Sequence, residues 1–336
     1  MISLEVLQLG MNFHLEGKIP ISLGNLCNIE VLDLNSVNIS QNFKEYGGLF
    51  SGCIRNSLME LLLPQTSLVG YVLDEVWNLK YLEILNISHN SLLGSIPTII
   101  RSLSSLIILD LSNNHFCGVI PKNIRHLYNL YELSLENNNL EGPLTEDNLA
   151  TISQLSFLSL SINKLNGMVP FSLCNLKNIV VLDISGNHLS GELPNCWNND
   201  LQFSKYLIPQ LSNLMGLHIL DLFPNNLSGS IPKSYGNFNA MKLSNKMSHL
   251  GDFSSYKENI LLDIQGNEYK CEIILPLISV MDLSYNCLYG SIPEELTNLL
   301  GLKSLNLSGN NLIGEITNKI GKMHELESLD LSRNSL

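Results

Sequence analysis

Leu106–Pro121 reads LIILDLSNNHFCGVIP, and the same arrangement of leucines, one asparagine, one glycine and a closing Ile-Pro returns along nearly the whole chain. With the first Leu or Ile of each copy as position one, copies begin at Leu4, Ile29, Leu58, Leu82, Leu106, Leu130, Leu155, Ile179, Leu217, Ile278, Leu302 and Leu326. Most steps are 24 or 25 residues. A fixed period of that length marks a solenoid, in which each copy is one coil that buries its apolar side only against its neighbours.

The residue types say what each position does. Positions one, four, six and eleven are apolar and point into a shared core, while the L-x-L run alternates as a strand does. The strands should pair in parallel and line a concave face. Position nine is Asn in every copy but those holding Val37 and Thr66. A buried amide needs partners, and Asn carries donors and an acceptor for its own and the neighbouring coil. Val37 and Thr66 are therefore expected to mark looser turns. Gly at position thirteen, as at Gly94, Gly118 and Gly142, permits positive φ, and the Pro beyond it fixes an extended strut toward the convex side.

Leu92–Pro97, Leu227–Pro232 and Leu288–Pro293 share the form L-x-G-x-I-P. That turn resembles the plant-specific class of leucine-rich repeat found in receptor-like proteins and receptor-like kinases, over almost all 336 residues. Leu173–Trp197 resembles a paired-cysteine repeat of receptor-like proteins, and Asn259–Asn286 resembles the end of their non-repeat island with the first repeat after it. The fold expected is an α/β repeat solenoid, a plant-type leucine-rich-repeat horseshoe or superhelix with a concave parallel β-sheet.

Irregular steps divide the chain. The step from Ile29 to Leu58 is long by the stretch Phe43–Cys53. Residues 1–240 read as about nine repeats, with a collapsed unit near 194–216. Residues 241–277 read as an island that lacks the Leu-Asn pattern and alternates Lys with acids, as a solvated loop does. Its two readings are a tolerated surface insertion and a cover over the concave face. Residues 278–336 read as C-terminal repeats, the last one truncated. The chain begins and ends on repeats without the polar caps a solenoid uses, which is expected of a fragment of a longer receptor or of a truncated gene product.

Nineteen Lys and Arg stand against 31 Asp and Glu, for a net charge of −12, which disfavours nucleic acid. Solvent-facing strand positions carry Glu5, Glu30, Asp33, Glu60, Glu83, Asp110, Glu132, Glu136, Asp183, Asp221, Asp282, Glu327 and Asp330, against only Lys303 and Arg333. Asp at position five is explained as repeat consensus; the glutamates are not, and they favour a basic or amine-bearing ligand. Exposed aromatics are better anchors than charges. Tyr131, Glu132, Glu136, Phe157, His218, Asp221, Phe223 and Tyr285 are the candidate ligand contacts, although any one ring read alone is more often an isolated surface aromatic.

No phosphate loop, kinase element, nucleophile elbow or metal-spaced His/Cys set is present, so neither an enzyme nor a cofactor is expected. Nor does any run of about 20 apolar residues offer a membrane span. Cys174 and Cys196 fall at stacked convex positions of adjacent coils and should pair. Cys27 and Cys53 bracket the second repeat, and the family resemblance supports their bridge. Cys117, Cys271 and Cys287 are left unassigned. Sequons place candidate N-glycans at Asn38, Asn86, Asn226 and Asn306, with Asn226 ranked last.

The function expected is the ligand-recognition ectodomain of a plant cell-surface receptor-like protein in defence or development, on the extracellular side of the plasma membrane. It would be tethered there by a C-terminal segment beyond this chain. The partners implied are a peptide, protein or glycan ligand and, by resemblance, co-receptor and adaptor receptor-like kinases. Lys303, Ser304, Ser328 and Arg333 are the co-receptor candidates. The alternatives are a secreted inhibitor of the polygalacturonase-inhibiting type and a truncated product without function.

Overall fold

Positions three to five of each coil form short parallel strands in the computed structural model. It describes residues 3–39, 42–195, 216–242 and 278–336, together with the backbone of 261–264 and 267–270. The chain divides into two compact units, Met1–Leu176 with Ile184–Ser190, and Lys177–Asp183 with Gly191–Leu336.

In the first unit the inner sheet runs from Val6–Gln8 through Val31–Asp33, Glu60–Leu62, Ile84–Asn86, Ile108–Asp110 and Glu132–Ser134 to Phe157–Ser159. Register is kept position for position, so that Glu60 faces Ile84 and Ile84 faces Ile108. In the second unit Val181–Asp183, Ile219–Asp221, Val280–Asp282, Ser304–Asn306 and Ser328–Asp330 pair the same way. Ile219 pairs directly with Val280, so the long insertion between their copies leaves the sheet unbroken. Of that insertion, Leu261–Ile264 and Asn267–Lys270 form an antiparallel pair. The rest of the expected island, most of the collapsed unit near 194–216, and Cys196 and Cys271 lie outside the described residues.

The apolar positions do what their period requires. Leu106, Leu109 and Leu111 are fully buried, as are Leu130, Leu135 and Leu140. Position nine closes each coil. Asn114 donates to Ile87 O of the preceding coil at 3.0 Å and to Leu111 O and Ser112 O of its own at 3.2 and 3.0 Å, and it accepts from Leu92 N at 2.9 Å. Both the donor and the acceptor of the buried amide are thereby partnered. Thr66 does not loosen its turn: it is fully buried, and its hydroxyl donates to Leu63 O at 2.9 Å, the bond the asparagine would make. Val37 is likewise buried, its N–H bonded to Leu34 O at 3.0 Å. A main-chain turn bond and core packing suffice where the side chain cannot bridge.

Two features of the coil are not written in the consensus. Position eight has positive φ in nearly every copy, including His89 at 53°, Asn113 at 53°, Tyr285 at 46° and even the β-branched Ile162 at 52°. Pro224 is the exception its ring demands. Beyond position nine, residues form a second sheet. In the first unit it runs through Val69–Tyr71, Ser91–Gly94, His115–Gly118, Asn139–Pro143 and Lys164–Met168. There the position-fourteen side chain of one coil lies over the position-thirteen glycine of the next. A Cβ on Gly94 would meet the Tyr71 ring at 2.7 Å, and one on Gly142 would meet Val119 at 2.8 Å. The glycine thus supplies both a positive φ and a seat for its neighbour.

Outside the two sheets the coils return through one-turn 3-10 segments such as Thr98–Ser102 and Lys122–His126, each preceded by an extended Pro. The extra stretch after Ile29 is core rather than loop. Phe43, Leu49 and Phe50 are buried, with the two phenyl rings stacked at 6.0 Å. Gly52 packs so closely on Gly24 that a Cβ would stand 2.7 Å from the Gly24 carbonyl carbon. Cys27 and Cys53 are bonded beside that contact, their Cα atoms 4.8 Å apart. Cys174 is also disulfide-bonded, whereas Cys117 and Cys287 are free and exposed.

Candidate functional site

Each unit gathers part of the expected ligand surface on its inner sheet. In the first, Glu132 and Phe157 stand opposite each other on adjacent strands. Tyr131, Glu132 and Glu136 are half-buried, and Glu136 accepts the Ser159 hydroxyl at 2.8 Å. Phe157 was expected to be an exposed anchor and is not, being only 5% exposed. Side chains on the inner sheet converge, and a ring in the same row as Ile84 and Ile108, themselves buried, is enclosed with them. Tyr131 therefore remains the accessible aromatic of this cluster.

Toward the start of the same sheet, Glu60 is half-buried beside Glu83 and Asp33. Burial and those two carboxylates raise its pKa above the usual glutamate value. The position-five aspartates behave differently. Asp33, Asp110, Asp221, Asp282 and Asp330 each accept the main-chain N–H two residues on, at 2.9 to 3.0 Å. These acids therefore each hold a turn of their own coil.

In the second unit, Phe223 and Tyr285 come together from neighbouring coils, and His218 and Asp221 lie along the same stretch as Phe223. His218 is half-buried, with Nδ1 3.2 Å from the Ser279 hydroxyl, and desolvation lowers its pKa toward the neutral imidazole. Phe223 and Tyr285 are 38% and 43% exposed and meet edge-on, with ring centres 5.4 Å apart. Arg333 lies over the other side of the Tyr285 ring, 5.5 Å from its centre, and bonds its hydroxyl. A Cβ on Gly309, in the coil between them, would touch that ring at 3.0 Å.

Arg333, one of the expected co-receptor contacts, also stands against the aromatic cluster. Only the positive φ of position eight, which aims Tyr285 and Arg333 along one edge, brings them together, and the repeat consensus does not show it. Of the other co-receptor candidates, Lys303 pairs with Glu327 at 2.6 Å and Ser304 stands opposite Ser328. The first unit has a polar counterpart of the position-eight edge: His89 Nε2 lies 3.3 Å from Asn113 Nδ2, and Asn137 donates to Asn113 Oδ1 at 2.8 Å.

Among the described residues there is no group of His, Cys, Asp and Glu that could hold a metal ion, and no helix long and apolar enough to cross a membrane.

The Leucine Rich Repeat family model matches residues 81–103, 105–127, 178–200, 277–299 and 301–323. No curated protein matches the chain by sequence. Among solved structures, the plant peptide hormone receptor RGFR1 in complex with RGF2 is similar at 27% identity and a TM-score of 0.71, over 99% of this chain and 52% of that one. The Arabidopsis HAESA ectodomain in complex with an IDA peptide hormone is similar at 28% and 0.68, over 98% and 50%. The Arabidopsis thaliana GASSHO1/SCHENGEN3 ectodomain in complex with CASPARIAN STRIP INTEGRITY FACTOR 2 is similar at 29% and 0.62, over 100% and 39%. Repeat, register and second sheet define a leucine-rich-repeat solenoid. The chain is similar over nearly its whole length to these plant leucine-rich-repeat receptor ectodomains, and it spans about half the length of the first of them.

Proposed function

We propose that the chain is the non-catalytic ligand-recognition part of a plant cell-surface receptor-like protein in defence or developmental signalling, binding a peptide or microbial pattern on its concave face and recruiting receptor-like kinases as partners. The observation that carries this reading is the likeness over 98% or more of its length to ectodomains solved with peptide hormones. The Phe223–Tyr285–Arg333 cluster adds a surface of the kind that binding concentrates on, with aromatic faces and a guanidinium already held in place. Two disulfide-bonded sites agree with passage through an oxidising, secretory route to the extracellular side of the plasma membrane.

The test uses the secreted chain immobilised against a synthetic panel of secreted plant peptides, among them RGF2 and the IDA peptide. Phe223→Ala or Tyr131→Ala should weaken the best binder more than tenfold, the loss of about 2 kcal/mol that a hot spot carries. Lys122→Ala, on an outer 3-10 turn, should leave affinity unchanged. A panel without a binder, or a binder indifferent to both aromatic changes, counts against the assignment.

A further inference from the structure

The four sequons fall into two unlike settings. Asn86 and Asn306 stand at position five of the inner sheet, each half-buried, in a column that also holds Asp33, Asp110, Asp183, Asp221, Asp282 and Asp330. Asn38 and Asn226 stand at position ten, the first residue past the buried position nine, and both are exposed. Ser91, His115, Lys164 and His188 are exposed at the same place in their own coils.

At position five the asparagines do what the aspartates do. Asn86 Oδ1 accepts Ser88 N at 3.0 Å and the Ser88 hydroxyl at 2.7 Å; Asn306 Oδ1 accepts Ser308 N at 3.1 Å and the Ser308 hydroxyl at 2.8 Å. Asp282 accepts Ser284 N at 2.9 Å and its hydroxyl at 2.6 Å in the same way. Asn-Ile-Ser and Asn-Leu-Ser are therefore the Asp-Leu-Ser turn of Asp110, Asp282 and Asp330 with an amide in place of a carboxylate. The serine that completes the sequon is there to close the turn.

The amide adds one thing a carboxylate cannot. Asn306 Nδ2 donates to Asp282 Oδ2 at 2.9 Å, and Asp282 is only 5% exposed. The sheet register sets Asp282 on one side of Asn306 and Asp330 on the other. Asn306 separates two acids and supplies a donor to the buried one, which a third aspartate would repel.

We infer that the N-glycans are carried by Asn38 and Asn226, and that Asn86 and Asn306 are structural asparagines that stay unmodified, leaving the position-five column bare. Modification forms a bond from asparagine Nδ2 to C1 of an oligosaccharide and breaks the C1–O bond to its lipid diphosphate carrier, which leaves with the amide proton. At Asn306 that would replace one N–H of the nitrogen that Asp282 holds and set a sugar against a carboxylate only 5% exposed. Asn226 is exposed. This reverses the ranking expected from sequence. The inference rests on the secretory passage in the proposed function but on no ligand, so it can fail while the binding reading stands.

The full chain is secreted from plant cells, and glycans are released enzymatically in heavy-oxygen water, which labels only occupied asparagines. Label is expected at 38 and 226 and not at 86 or 306, and the Asn38→Gln/Asn226→Gln double variant should migrate as fully deglycosylated protein. In glycan-free chain made under tunicamycin, Asn306→Ala should lower the unfolding temperature while Asn226→Ala leaves it unchanged. Label at 86 or 306 in folded, disulfide-intact protein overturns the inference, as does an unlabelled Asn226. Equal unfolding temperatures for the two alanine variants overturn its structural half.

Discussion

Gly236 and Gly321 occupy the same place in their coils, the fourth residue of the outer 3-10 turns Lys233–Asn237 and Asn318–Lys322. Their surroundings differ completely. A Cβ on Gly236 would stand 2.5 Å from the Glu295 carbonyl carbon and 2.9 Å from its Cβ, with the carbonyl oxygen closer still; a Cβ on Gly321 would meet nothing within 4 Å. Neither has a positive φ, so alanine is conformationally acceptable at both. Where that holds, Gly→Ala stabilises by about 0.4 to 1 kcal/mol through the unfolded chain, and Gly321→Ala should show that gain. Gly236→Ala collects the same term but forces two backbones apart, and overpacking of this kind costs about 1 to 3 kcal/mol or more. The exposed Lys233–Glu295 pair, at 3.1 Å, contributes little when it breaks. The two variants should therefore differ by the overpacking cost itself, about 1 to 3 kcal/mol or more, with Gly236→Ala the less stable. Urea unfolding of the full chain gives the difference, and hydrogen exchange in the peptides spanning 233–237 and 294–298 locates it, because coils in a solenoid couple mainly to their neighbours. If the two variants unfold within 1 kcal/mol of each other, or if exchange rises equally in distant coils, the packing argument is wrong.

Other perturbations separate the remaining claims. Opening the Cys27–Cys53 bond, which closes a 26-residue separation, should lower stability by about 3.5 kcal/mol on the chain-entropy account; a Cys27→Ser/Cys53→Ser variant that unfolds like wild type would show the bond to be idle. Cys174 should be recovered linked to Cys196 on non-reducing peptide mapping, with Cys117 and Cys287 alkylated as free thiols, and a Cys174–Cys271 peptide would refute the pairing. Leu109→Ala, at a fully buried site, should cost about 2 to 5 kcal/mol, whereas Leu7→Ala in the half-exposed first coil should cost less than half as much; equal midpoints in urea would mean that burial does not set the cost. The raised pKa of Glu60 means that the folded chain holds this proton more tightly than the unfolded one. Its contribution to stability then falls as pH rises through the region just above 4.5 and returns on acidification. Glu60→Gln should remove that part of the pH dependence of the melting temperature, and an unaltered profile would place the titration elsewhere.

The sequence by itself determined the coil, because a 24-residue period of leucines can bury its apolar positions in one way only, and each asparagine must find partners inside the turn it closes. It also determined which glycine positions take positive φ, since that follows from their place within the coil, whereas the Cys27–Cys53 bridge was legible only through the family resemblance. Tertiary structure decided what depends on the neighbour across the stack. Phe157 and Phe223 read alike in sequence, but Phe157 lies in an enclosed row and Phe223 at an open edge. Arg333 is far from Tyr285 in the chain and reaches its ring only because each coil brings position eight to the same edge, one strand further on. Asn86 and Asn226 present the same sequon, yet one closes a turn on the inner sheet and the other faces solvent. A local pattern fixes a residue's place in its own coil; the side chains it meets come from coils some 24 residues away, and only their stacking determines those contacts.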